Sequence, residues 1–151
     1  MKMTSPVQER RLNMRLMGYW QELRAGASCP TAARFDPSDI ADVWDHCFSL
    51  SQSDKGKDWV FRHIGPALAK ESGLKCDYAT SSQIPSGSLL HHMLQRLSVF
   101  DEGLQPIVNS GAFKTAEGRD CLYRAILLPF VGGSAKVELV VGGARCKPVP
   151  D

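Results

Sequence analysis

The stretch DWVFRHIGPALAKESG, residues 58–73, constrains the fold most, because its periodicity changes partway along. Up to Ile64 apolar residues alternate as in a strand; from Pro66 they recur as in a helix. Gly65 is read as permitting the bend. Pro66 pre-sets the first helical turn, where its missing N–H would be unpaired in any case. Strict alternation puts Trp59, Phe61 and His63 on one face of the strand and Val60, Arg62 and Ile64 on the other. Gly73 ends the short helix.

The flanking elements follow from the same signals. Residues 6–25 read as an amphipathic helix, with Leu12, Leu16, Tyr19, Trp20 and Leu23 at helical spacing and Arg10, Arg11 and Arg15 off that stripe. Ser5 and Pro6 are suited to start it and Gly26 to close it. DPSDIADVW reads as a short helical turn capped by Asp36 or Ser38. A strand over 43–50 can pair with 58–64 across a turn at QSDKGK. Residues 74–87 are polar and turn-rich. The spacing of Leu89, Leu90, Met93, Leu94, Leu97 and Phe100 predicts one helix over 88–101, capped by Ser86 or Ser88 and closed by Gly103. Strands are expected at 105–113, 119–131 and 135–142, with turns at KTAEG and GGS between them. The sum is an α+β fold, a five-stranded antiparallel sheet with helices on one face and the N-terminal amphipathic helix added. Residues 1–26 are then a capping or dimerisation helix, 27–142 the domain proper and 143–151 a loose tail.

The totals restrict function more than they suggest it. A chain of 151 residues suits one domain with an adequate core. The net charge of +2 is too small to indicate nucleic acid or an anionic membrane. No window reaches the roughly 18 apolar residues of a membrane span. The charged start MKMTSPVQERRLNMRL does not suit a secretion signal, so a cytoplasmic location is expected. Cys29, Cys47, Cys76, Cys121 and Cys146 form no C-x-x-C pair and no metal site is expected. Cys47 and Cys121 read as small core residues; Cys29 and Cys146 are placed in a loop and the tail.

The order of two strands, short helices, a longer helix and three strands is that of a PAS domain. In detail YWQELRAG, FDPSDI, FRHIGPALAKESG and ILLPF resemble a PAS-like family abundant in alphaproteobacteria, over about Leu12 to Val141. His63 and Pro66 depart from the pattern of that family, which has an apolar and a small polar residue there. The resemblance implies a cavity between sheet and helices. Its candidate lining is Trp59, Phe61, His63, Leu90, Met93, Leu97 and Tyr123. It also implies a homodimer through the N-terminal helix, with Leu12, Leu16, Tyr19, Trp20 and Leu23 at the interface.

Candidate chemistry is sparse. His63 either hydrogen-bonds a ligand or pairs with a backbone carbonyl near the strand end. Arg62, on the opposite face, is expected to pair with Glu138 or Asp45, or to lie under the N-terminal helix. His91 and His92 fall on the solvent side of the 88–101 helix, which disfavours haem held there. LKCDYAT around Cys76 lacks the Asn-Cys-Arg motif of flavin photosensors. The cofactor therefore stays unassigned. No catalytic or phosphate-binding motif is present, VVGGAR opening no helix. Asp36, Asp39, Asp42 and Asp45 read as caps and solvated carboxylates. Arg10, Arg11 and Arg15 read as a solvated helix face, without the interleaved aromatics of a nucleic-acid platform.

The sequence thus points to a stand-alone sensory or interaction module without catalysis, working through an unidentified signalling partner or through dimerisation. The alternative is a dedicated small-molecule or haem sensor with an occupied cavity. A small enzyme of the ketosteroid isomerase type is disfavoured, because here two strands precede the helices.

Overall fold

A computed structural model describes residues 6–52, 58–74, 78–101, 103–115, 117–134 and 136–149, with the side chains of 6–10 and 101 left aside. The expected cap Ser5, most of the turn at 52–57 and Cys76 lie outside the described residues. Three helices and five strands follow in the order α1 (Pro6–Arg24), β1 (Cys47–Gln52), β2 (Trp59–Ile64), α2 (Pro66–Glu71), α3 (Leu89–Leu94), β3 (Ile107–Lys114), β4 (Asp120–Val131) and β5 (Val137–Pro148). Short stretches of 3-10 helix occupy Ala32–Arg34, Pro37–Ile40, Trp44–His46, Ser81–Gln83 and Leu97–Asp101. The strands form one antiparallel sheet in the order β2-β1-β5-β4-β3.

Each face of the sheet is covered. Phe48, Leu50, Leu68, Leu90, Met93, Tyr123, Ala125, Leu127 and Val140 pack between the sheet and α2 and α3. Leu12, Leu16, Tyr19, Trp20, Ile40, Cys47, Ile126, Leu128, Phe130 and Val141 pack between the sheet and α1. Period-two alternation along β4 sends Tyr123, Ala125 and Leu127 one way and Ile126, Leu128 and Phe130 the other. Gly142 and Gly143 alternate likewise. A Cβ on Gly142 would collide with the Phe48 ring, and one on Gly143 would come within 2.7 Å of Leu16. VVGGAR is therefore two seats for large core residues, one on each face.

Three expectations are corrected. The predicted strand over 43–50 begins at Cys47, because Trp44–His46 forms a 3-10 turn first. The helix over 88–101 stops at Leu94, and the chain tightens into 3-10 geometry over Leu97–Asp101. Leu97 and Phe100, three apart, keep the same side at about three residues per turn. The tail from 143 is sheet through Pro148, because β4 needs a partner along its first half: Tyr123 pairs with Cys146 and Arg124 with Arg145. Cys146 is thus a strand residue, and Cys29 is buried with its thiol 3.3 Å from the Pro129 carbonyl. Of the residues expected at a dimer interface, Leu12, Leu16, Tyr19 and Trp20 are buried against their own sheet and Leu23 packs beside them.

Among the described residues no helix is long and apolar enough to cross a membrane.

Candidate functional site

The corner at 64–66 places the site. Gly65 has ordinary extended geometry, with φ of −61°, so the bend itself does not demand glycine. Space does: a Cβ there would collide with the Asp45 carbonyl and lie 2.8 Å from the Trp44 oxygen. The Gly65 N–H donates to the Cys47 carbonyl at 2.7 Å. Pro66 then starts α2, as expected, and Gly73 follows it with φ of +70°.

Just before this corner, β2 contains a bulge. Ser49 pairs with His63 and Leu50 with Phe61, leaving Arg62 as the extra residue. The bulge reverses the alternation beyond it. Trp59, Phe61 and Ile64 face α2 and α3, whereas His63 turns to the other side. There its ring stacks on Trp44 at 4.1 Å and its Nε2 lies 3.1 Å from the Trp44 carbonyl oxygen. Arg62 is exposed and donates from Nε to Ser51 Oγ at 2.7 Å, not to Glu138 or Asp45.

The structure brings six of the seven expected lining residues, Trp59, Phe61, Leu90, Met93, Leu97 and Tyr123, into one apolar cluster and leaves His63 out. In its place stands His92. Its ring lies 6.1 Å from Tyr123 and 6.3 Å from Phe113, so it belongs to the sheet side and not to the solvent side. His91 is half-buried and its Nδ1 accepts the Gly87 N–H at 3.1 Å. The Asn109 amide donates to the Tyr123 hydroxyl at 3.3 Å. Burial pushes the Tyr123 phenol above its ordinary range, while the Asn109 hydrogen bond and the Arg96 charge draw it back. Tyr123, Asn109 and His92 therefore present hydrogen-bonding groups beside a wall of Leu90, Met93 and Phe113. That is the composition of a site for a mostly apolar small molecule with a polar end.

Two of these residues carried readable signals. His92 follows Leu89 by three, which sets it at the edge of the buried stripe. Ile107, Asn109, Gly111 and Phe113 alternate along β3, placing Asn109 on the inward row.

Burial raises the Cys47 thiol to about 12, with the charge of Asp42 adding to it. Burial likewise raises Cys29 and Cys121. All three are neutral core thiols. Asp36 accepts the Ser38 N–H at 3.0 Å as a cap, and the hydrogen bonds from Ser38 hold its carboxyl below the usual range. Arg15 reaches Asp42 at 3.3 Å and the Asp39 carbonyl at 2.6 Å, tying α1 to the 36–46 segment. Among the described residues no cluster of His, Cys, Asp or Glu could hold a metal ion.

A sheet in this order, with helices inserted between its second and third strands and a helix on the reverse face, defines a PAS fold. The chain belongs to the PAS domain family: the PAS_5 family profile matches residues 8–144. This removes the ketosteroid isomerase alternative. No curated protein matches the sequence. Among solved structures, VqmA of Vibrio cholerae in complex with ligand and DNA is similar with a TM-score of 0.50 at 13% identity, over 74% of this chain and 51% of VqmA. VqmA bound to DPO gives 0.50 at 13% identity, over 76% of this chain and 58% of that one. The chain thus spans little more than half of VqmA. A light-oxygen-voltage domain studied with a flavin analogue gives 0.47 at 10% identity, over 76% of this chain and 84% of its own.

Proposed function

We propose that the chain is a sensory module: the side of the sheet under α2 and α3 receives a small ligand, and the α1 side passes the occupied state to a protein partner, without chemistry of its own. The observation that carries this is the two-faced packing of β4. Tyr123 and Leu127 line one cluster while Ile126 and Phe130 build the other. Interiors packed at crystal density do not absorb such a shift on one face alone. A ligand that moves Tyr123 therefore moves the seat of Leu16 and Trp20. VqmA, whose fold is similar, is known bound to DPO, which supports the ligand part. Output passes to a partner rather than to a twin through Leu12, Leu16, Tyr19 and Trp20, because those side chains are already buried.

The test has two arms. Native mass spectrometry of the purified chain should show a retained small molecule that is lost on denaturation. Hydrogen exchange of the α1 amides should change in Met93→Ala, which opens space on the opposite face. A clean apoprotein whose α1 exchange is the same in wild type and variant refutes the reading.

A further inference from the structure

The α1 side carries a groove that plays no part in the site above. It lies between α1, the 42–46 segment and β5, with a volume of about 650 Å³. Leu12 and Val43 line it, together with Arg11, Arg15, Arg145 and His46. Among the described residues, the carboxylate in its wall is that of Asp42, which Arg15 engages. The described guanidiniums that line it are those of Arg11, Arg15 and Arg145.

Three features of α1 extend the groove into a docking face. Arg11 is exposed and pairs with no other described residue. Met14, at 72% exposure, is the most exposed large apolar side chain among the described residues. Gly18 stands in the helix interior, where glycine costs about 1 kcal/mol relative to alanine, yet a Cβ there would meet nothing within 4 Å. The packing of the chain itself gives no reason for that glycine; close approach of an element from outside does. Arg11, Met14, Arg15 and Gly18 share one helical face by their spacing of three and four.

We propose that this face and groove dock an acidic amphipathic helix of a partner protein. Its apolar side chains cover Met14 and Val43, and its carboxylates meet the exposed Arg11 guanidinium, which binds carboxylates in a two-pronged geometry. A nucleic acid fits less well, because among the described residues the groove offers no Phe, Tyr or Trp ring for bases to stack on, and it includes a carboxylate. The proposal rests on the sensory reading only in making the α1 side the output side. Its assay needs no ligand under α3, so the two can fail separately.

Fluorescence anisotropy of the full chain with three labelled, stapled helical peptides tests it. One carries glutamates flanking a leucine stripe, one replaces the leucines by alanine, and one replaces the glutamates by lysine. The first should bind. Arg11→Glu, Met14→Glu and Gly18→Leu, all at exposed positions, should each weaken it by about tenfold or more, with unchanged circular dichroism. Absence of binding overturns the proposal. So does equal binding of the leucine-free peptide, or retained binding in Arg11→Glu. Tighter binding of a single-stranded oligonucleotide or of phosphatidylserine vesicles at the same face also overturns it.

Discussion

The indole N–H of Trp20 donates to the Pro129 carbonyl at 2.7 Å, with both groups buried. A proline inside a sheet is tolerated where its missing donor is not needed. β3 pairs with β4 only as far as Leu127, so at Pro129 the strand is an edge on that side. The carbonyl left over is taken by Trp20 of α1, with the Cys29 thiol alongside. One hydrogen bond thus clamps the N-terminal helix to the ILLPF segment. Trp20→Phe keeps most of the apolar area and removes the donor. It should cost about 1–3 kcal/mol in urea unfolding, more than a surface Trp→Phe change would.

Gly65 and Gly18 should respond oppositely to alanine. At Gly65 the new methyl meets backbone oxygen that cannot move without breaking the 44–46 turn. Gly65→Ala is expected to cost about 3 kcal/mol or more. Gly18→Ala meets open space and should stabilise by about 0.5–1 kcal/mol. Thermal and urea melts of the two variants check both signs.

Met93 is 1% exposed in the cluster under α3. Met93→Asp buries a carboxylate without a partner and should destabilise by several kcal/mol, on the order of 3–5. A variant that melts like wild type would overturn the burial of Met93 beneath α3.

His46 makes stability depend on pH in a calculable direction. Burial holds it below the ordinary histidine value, the Arg145 charge adds to this, and Asp45 opposes it. Glu71 Oε2 lies 3.9 Å from its Nδ1. Between the depressed folded value and about 6.5, the unfolded state binds more protons than the folded one. Stability therefore falls as pH drops through about 6.5 and levels off below the folded value. The slope attributable to one such group is at most about 1.4 kcal/mol per pH unit. Urea unfolding between pH 5 and 8 should show this slope in wild type and a smaller one in His46→Gln.

The sequence by itself determined the elements whose burial is continuous along one face. The α1 stripe of Leu12, Leu16, Tyr19 and Trp20, the strand-to-helix switch at Pro66 and the antiparallel order of five strands were all legible. The gathering of Phe61, Leu90, Met93 and Tyr123 on one side was legible only through the family resemblance, because helical and strand periods are local and do not say which elements meet. Tertiary structure decided the rest, wherever a distant residue overrides the local period. No pattern within FRHI marks Arg62 as the bulged residue; the need to seat Ile64 with Phe48 and His63 on Trp44 does. Nothing local distinguishes a loose tail from a strand in ARCK, whose order comes from unpaired β4 backbone beside it. Gly65 is required by a carbonyl twenty residues earlier in the chain, not by its own conformation. The same holds for the site: His92 acquires its place from Tyr123 and Phe113, strand residues that only folding brings beneath α3.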